Sequence, residues 1–203
     1  MPHEEVQGSL DLVVKAAATK LMGASSANAA QVCQSVLRDL VDVFGVDHSF
    51  LRFNDHRIRA STLLTEWPER VGVPEPDPIR VVYFSDADPV FAMAEHLQSL
   101  VVFRPEPATD DFQRLIENSG GYVSTLCVAP LLDASVTTGV LGFVKSGDRE
   151  WRRNEMNAVE AIASLLAQVQ ARITAEERLR YLAEHDDLTG LHNRRALLSH
   201  LDA

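Results

Sequence analysis

Residues 122–146 read YVSTLCVAPLLDASVTTGVLGFVKS, and this stretch sets the architecture. Two strongly apolar runs, YVSTLCVAPLL and VTTGVLGFVKS, flank the short link DAS. Apolar runs of this length bounded by turn residues are strands, and so short a link makes them an antiparallel hairpin. Just upstream, DDFQRLIENSGG reads as a short helix closed by Gly120 and Gly121. Before it come the loop PEPATDD and the short buried strand VVFR. DADPVFAMAEHLQSL is expected to be a helix, with Asp88 as N-cap and Pro89 at the first helical position.

Further towards the N-terminus, PERVGVPEPDP holds four prolines and reads as a loop ahead of the short strand IRVVYF. VDHSFLRFND and HRIRASTLLTEW form a second hairpin around Asn54 and Asp55. Two helices precede it. LDLVVKAAATKLM, residues 10–22, has helical apolar spacing. AAQVCQSVLRDLVDVFG follows, capped by Ser26 or Asn28 and closed by Gly45, with Val32, Val36, Leu37, Leu40, Val43 and Phe44 on one stripe. Downstream of residue 146, a helix without Gly or Pro begins near Arg149 and runs to His185. That length exceeds a typical globular helix and suits a connecting rod or half of a coiled coil. The order predicts an α+β fold: a central antiparallel sheet with helices on both faces, and a long C-terminal helix.

Composition sets outer bounds. The chain has 203 residues, 46% apolar and 24% charged, the balance of a globular protein. No segment has the roughly 18 uncharged apolar residues of a membrane span. The start MPHEEVQGSLDL has no basic region ahead of an apolar core, so no secretory signal and a cytoplasmic location are expected. A net charge of −10 opposes binding to nucleic-acid backbones. The two cysteines, Cys33 and Cys127, form no CxxC pair; they read as buried thiols, and no metal site is expected. No P-loop, GxGxxG, HExxH or GxSxG motif occurs.

Several of these pieces resemble the GAF domain, a small-molecule-sensing module. Phe44-Gly45-Val46-Asp47 is similar to its early helix-to-strand junction. Val128-Ala129-Pro130-Leu131, the hairpin, Gly139-Val140-Leu141-Gly142 and a helix beginning near Trp151 are similar to its last third. The resemblance covers roughly residues 10–172. PAS domains share the general architecture, but the two N-terminal helices and the proline-leucine hairpin favour GAF.

A second resemblance follows the long helix. The run from His185 to Arg195, HDDLTGLHNRR, resembles the opening of a GGDEF domain, the diguanylate cyclase fold, whose D-x-L-T-G-L-x-N-R run ends a linking helix. The matching positions are Asp186, Leu188, Thr189, Gly190, Leu191, Asn193 and Arg194. Asp186 is expected to hold the following turn, Gly190 to permit a tight one, and Asn193 to cap the helix from Arg194. The two arginines, Arg194 and Arg195, are expected to lock the junction rather than to hold substrate phosphates. Residues 1–203 do not contain the signature G-G-[DE]-E-F loop or the metal-binding carboxylates, so no catalytic residue and no cofactor are assigned within them. A complete enzyme of this kind would need GTP and Mg²⁺. The expected organisation is a sensor over 1–150, a signalling helix over 151–185 and the start of a GGDEF domain over 186–203.

By the GAF resemblance, a ligand would sit between the sheet and the cover formed by residues 68–99. Tyr83, Phe91, His96, Phe103 and Cys127 are the candidate lining residues, with core packing as the plainer role of each. The N-K-x-F-x-x-x-D-E signature of cyclic-nucleotide-binding GAF domains is not found. Cys127 in a central apolar strand is a poor bilin anchor, and His96 is the candidate iron ligand if the module is a haem or redox sensor. A scaffold whose pocket is filled by its own side chains is the remaining alternative. On the long helix, Val159, Ile162, Leu166, Val169 and Ile173 alternate steps of three and four, which predicts a homodimer seam. The phase then breaks, with Glu176 and Arg180 on the next seam positions and Leu179 and Leu182 one residue out of register.

Overall fold

The computed structural model describes residues 2–105, 124–185 and Asn193, with side chains from Gly8 onward. The helix expected over 110–121 and most of the run after His185 lie outside the described residues. Two helices, α1 (Pro2–Met22) and α2 (Ala29–Phe44), lead into β1 (His48–Asp55), β2 (Ala60–Trp67) and β3 (Val81–Tyr83). Then follow α3 (Pro89–Met93), β4 (Val101–Phe103), β5 (Ser124–Asp133), β6 (Val136–Ser146) and α4 (Arg153–Glu184). The six strands form one antiparallel sheet in the order β3-β2-β1-β6-β5-β4. The expected β5–β6 hairpin lies within it beside β1, turning through Ala134 at φ 53°.

Period-two alternation assigns each strand residue to a face. Leu51, Cys127, Ala129, Leu141 and Phe143 point to one face and are buried beneath α1, α2 and α4. There Phe44, Phe143 and Trp151 pack ring against ring, with centroids 5.4–5.7 Å apart. Phe50, Leu126, Val128 and Val140 point to the other face. That face carries no long helix among the described residues: the helix expected from Asp86 to Leu100 shortens to the five residues of α3. Asp88 and Pro89 start it as predicted, the Asp88 Oδ1 accepting from the backbone N–H groups of Val90 and Phe91 at 3.0 Å.

The seam read on the last helix is corrected by the packing. Val159, Ile162 and Leu166 are 0–2% exposed inside the chain's own core, and Val169 packs against it. The three-and-four spacing is real, but it faces the sheet and α1. Arg172 fastens the same arrangement, its Nη2 donating to the Ala24 carbonyl at 2.8 Å at the end of α1. Asn193 is tied to the helix before it, its N–H donating to the Glu184 carbonyl at 2.8 Å and its Nδ2 to the Ala183 carbonyl at 2.7 Å, while the helix it is expected to cap lies outside the described residues.

The Phe44–Asp47 junction has a clear physical basis. Gly45 at φ 61° ends α2 in the left-handed conformation that suits glycine. Asp47 then accepts from Lys145 Nζ and from the Ser146 N–H, both at 2.7 Å, tying the start of β1 to the end of β6. The lysine bond foremost, then the backbone N–H, lower the Asp47 carboxyl from its ordinary 3.8 to about 2. A carboxyl lowered in the folded state contributes stability above its unfolded pKa and loses it as pH falls through the folded value. Asp47→Asn is therefore expected to flatten the fall in melting temperature between about pH 4 and pH 2. An acid profile parallel to that of the wild type would remove Asp47 from the account.

Candidate ligand-binding cavity

The face opposite the long helices carries a cavity of about 200 Å³. Its floor is Phe50 and Arg52 of β1, Val140 of β6, and Leu126 and Val128 of β5. Val101 and Phe103 of β4 close one side, and Asp88, Phe91, Met93 and Leu97 form the roof. The end of the Phe50 ring lies against its strand partner Gly142, where any Cβ would strike it. Gly139 has the same relation to the backbone carbonyl of Arg52. The two glycines of the Gly-Val-Leu-Gly run thus give β1 the close approach that shapes this floor.

Polar clasps hold the roof down. Asn54 Nδ2 donates to the Ala94 carbonyl at 2.7 Å. Arg59 grips Glu95 through two parallel bonds of 2.9 and 2.8 Å, which also lower the Glu95 carboxyl pKa. Thr137 Oγ1 donates to the Leu97 carbonyl at 2.8 Å. The proline-rich loop is held by Arg70, which bonds Glu66 at 2.9 Å and Asp77 at 2.8 Å.

Of the five residues named from sequence, the cavity gathers Phe91 and Phe103. Tyr83 stands 49% exposed on the edge strand β3, outside the lining. His96 also lies outside it, its side chain 80% exposed and its Nε2 3.7 Å from Glu95. An iron ligand within the cavity would have to project from another position. Cys127 is fully buried, but on the helix-covered face, one residue out of step with Leu126 and Val128. Burial pushes its thiol up to about 12, and that of Cys33 to about 11, so both stay protonated and unreactive at neutral pH. Sequence reading missed Phe50 and Arg52. The available signal was their shared parity in SFLRFN, which places both on the face opposite Leu51 and Phe53.

A sheet with an N-terminal helix pair and a C-terminal helix on one face, and a covered cavity on the other, defines a sensory module of the GAF type. The chain belongs to the GAF domain family, whose model matches residues 28–169. Among solved structures, the GAF domain of a phosphoenolpyruvate-protein phosphotransferase from Coxiella burnetii superposes with a TM-score of 0.68 at 13% identity, over 85% of this chain and 98% of that one. The phycocyanobilin-bound GAF domain of a cyanobacterial phytochrome gives 0.64 at 13% identity, over 82% and 96%. Free methionine-R-sulfoxide reductase from Neisseria meningitidis gives 0.62 at 14% identity, over 82% and 91%. At these identities the likeness is one of fold. In sequence, the Mycobacterium tuberculosis protein named Uncharacterized protein Rv1354c and the Mycobacterium bovis protein Mb1389c are each 55% identical over all 203 residues. The chain spans about a third of the length of these relatives. No described helix is long and apolar enough to cross a membrane.

Proposed function

We propose that this chain is the sensory and coupling region of a cyclic-di-GMP-metabolising enzyme of the diguanylate cyclase type. A small molecule in the cavity biases the packing of the sheet, and α4 carries that bias to a catalytic domain. The observation that carries the reading is the run Asp186–Arg195 directly after α4, with its resemblance to the start of a GGDEF domain. The placement of α4 supports it. The first half of the helix is buried in the sensor, whereas its last turns leave Leu179 67% and Leu182 37% exposed. A second copy meeting this exposed end would cover those leucines and bring two downstream domains side by side. Such a domain holds one GTP, and two must face each other with Mg²⁺ to make the product. The dimer contact therefore moves from Val159, Ile162 and Leu166 to the segment from Ile173 to Leu182. Catalysis belongs to the downstream domain, and the setting is cytoplasmic, where GTP is available.

The test is a protein extended past Ala203 through its next domain, supplied with GTP and Mg²⁺. It is expected to form cyclic di-GMP, whereas residues 1–203 form none. Leu179→Asp with Leu182→Asp is expected to give monomers in sedimentation and to remove the product. An extended protein that neither makes nor hydrolyses cyclic di-GMP would overturn the enzymatic assignment. The clasped roof and the small volume favour one second reading, a scaffold that binds nothing. Its mark is a melting temperature that no metabolite raises.

A further inference from the structure

We propose that the cavity beneath α3 is built for a small organic anion, with the Arg52 guanidinium meeting the negative end of the ligand. The inference rests on the sensing role given to the cavity and adds the chemistry of what is sensed. Arg52 is only 3% exposed and forms part of the cavity wall. Its Nε donates to Ser61 Oγ at 3.2 Å, and its Nη1 to the Ile79 carbonyl at 2.8 Å. Its Nη2 donates to the Ser61 carbonyl at 2.9 Å and, at 3.5 Å, to that of Arg80. Every one of these acceptors is neutral. A guanidinium has five N–H donors, so one hydrogen on Nη1 is left over among the described residues.

Taking a cation out of water is costly unless a counter-charge or a full set of hydrogen bonds offsets the loss. Asp77 and Glu66 favour the Arg52 charge from a distance, but among the described residues neither forms an ion pair with it. Glu66 and Asp77 are both bonded to Arg70, whose own positive charge further disfavours that of Arg52. Burial foremost, and then Arg70, lower the Arg52 pKa to about 10, still fully charged at neutral pH. The Asp88 carboxylate at the rim is exposed and already accepts from two backbone N–H groups. Phe91 sits with its ring centroid 4.8 Å from the guanidinium carbon, so the charge is framed by an aromatic face. Joining Ser61 to the 79–80 segment requires donors and not charge. The charge is what an incoming anion would use, through a charge-assisted bond in a low-dielectric site. The rest of the wall is hydrocarbon, from Phe50, Leu126, Val128, Val140 and Phe103. This wall suits one small acid with an apolar body.

The test compares acids with neutral partners of the same shape on residues 1–203. Benzoate and 4-methylpentanoate are titrated by calorimetry and thermal melting against benzamide and 4-methylpentanamide. The acids are expected to raise the melting temperature and to bind at least about tenfold more tightly than the amides, a gap of about 1.4 kcal/mol. Arg52→Gln keeps donors and removes the charge, and it should bring the acids down to the level of the amides. Val128→Phe fills the cavity and should abolish binding with Arg52 intact. Circular dichroism checks that each variant is folded, and the acid–amide comparison in the wild type stands even if Arg52→Gln does not fold. Equal binding of acid and amide would overturn the anion assignment and leave a sensing cavity in place. So would acid binding unchanged in a folded Arg52→Gln. A cavity that takes neither acid nor amide would overturn the assignment and the sensing role together.

Discussion

Ile162→Asp is expected to unfold the chain rather than to dissociate a dimer. Ile162 is fully buried between α4 and the sheet, in a cluster with Leu37, Leu141 and Val159. The substitution removes a fully buried side chain, worth about 1.5–3 kcal/mol of transfer free energy. It also places a carboxylate in a cluster of apolar side chains, so the group must protonate or draw water into the core. The sum should exceed about 4 kcal/mol, a large share of the roughly 5–15 kcal/mol that holds a typical domain folded. One position earlier, Ala161 is exposed, and Ala161→Asp should change stability by less than about 0.5 kcal/mol. The pair is read by chemical denaturation and sedimentation together. A folded but monomeric Ile162→Asp would return this residue to an intermolecular seam and reverse the packing argument.

The second large effect is expected at Gly139. A Cβ there would meet the Arg52 carbonyl oxygen well inside van der Waals contact, and backbone in the middle of a sheet cannot swing away. Relief requires β1 and β6 to separate around the Phe53–Gly139 pair, in the part of the sheet that carries Arg52. Gly139→Ala should cost about 2–4 kcal/mol, in the range of strain and overpacking effects. Gly142→Ala is the informative partner. There the obstacle is the end of the Phe50 ring, a side chain that can turn. It should cost less stability than Gly139→Ala, and it should push Phe50 into the cavity and weaken any ligand seated there. Equal losses at the two glycines would show that the close approach of β1 to β6 is not the reason for glycine at 139.

Much of the fold was legible from residue order alone, because strands and turns are local. The apolar runs around Ala134 fixed the β5–β6 hairpin, and Gly45 and Asp88 marked real ends of helices. The shortness of α3 was not legible. DPVFAMAEHL has acceptable helical spacing, but Asn54, Arg59 and Thr137 each bind the segment from Ala94 to Leu97, holding it in an irregular course. The cavity was half legible. Phe91 and Phe103 stand out as apolar residues near the expected cover, whereas Arg52 reads as a solvent-facing charge until β2 and the 79–80 segment close over it.

Local sequence could set the parity of each strand and the apolar stripe of each helix, since both follow from backbone geometry. It could not say what each face meets. The stripe at Val159, Ile162 and Leu166 has the spacing of a coiled coil and equally of a helix laid on its own sheet. Both bury an apolar face, and a repeat of three and four residues records burial without recording the partner. Cys127 and Val128 are likewise neighbours in sequence with the same apolar character. One lies under the long helices and the other floors the cavity, because the pleat sends successive side chains to opposite faces and the topology alone places the long helices on one of them.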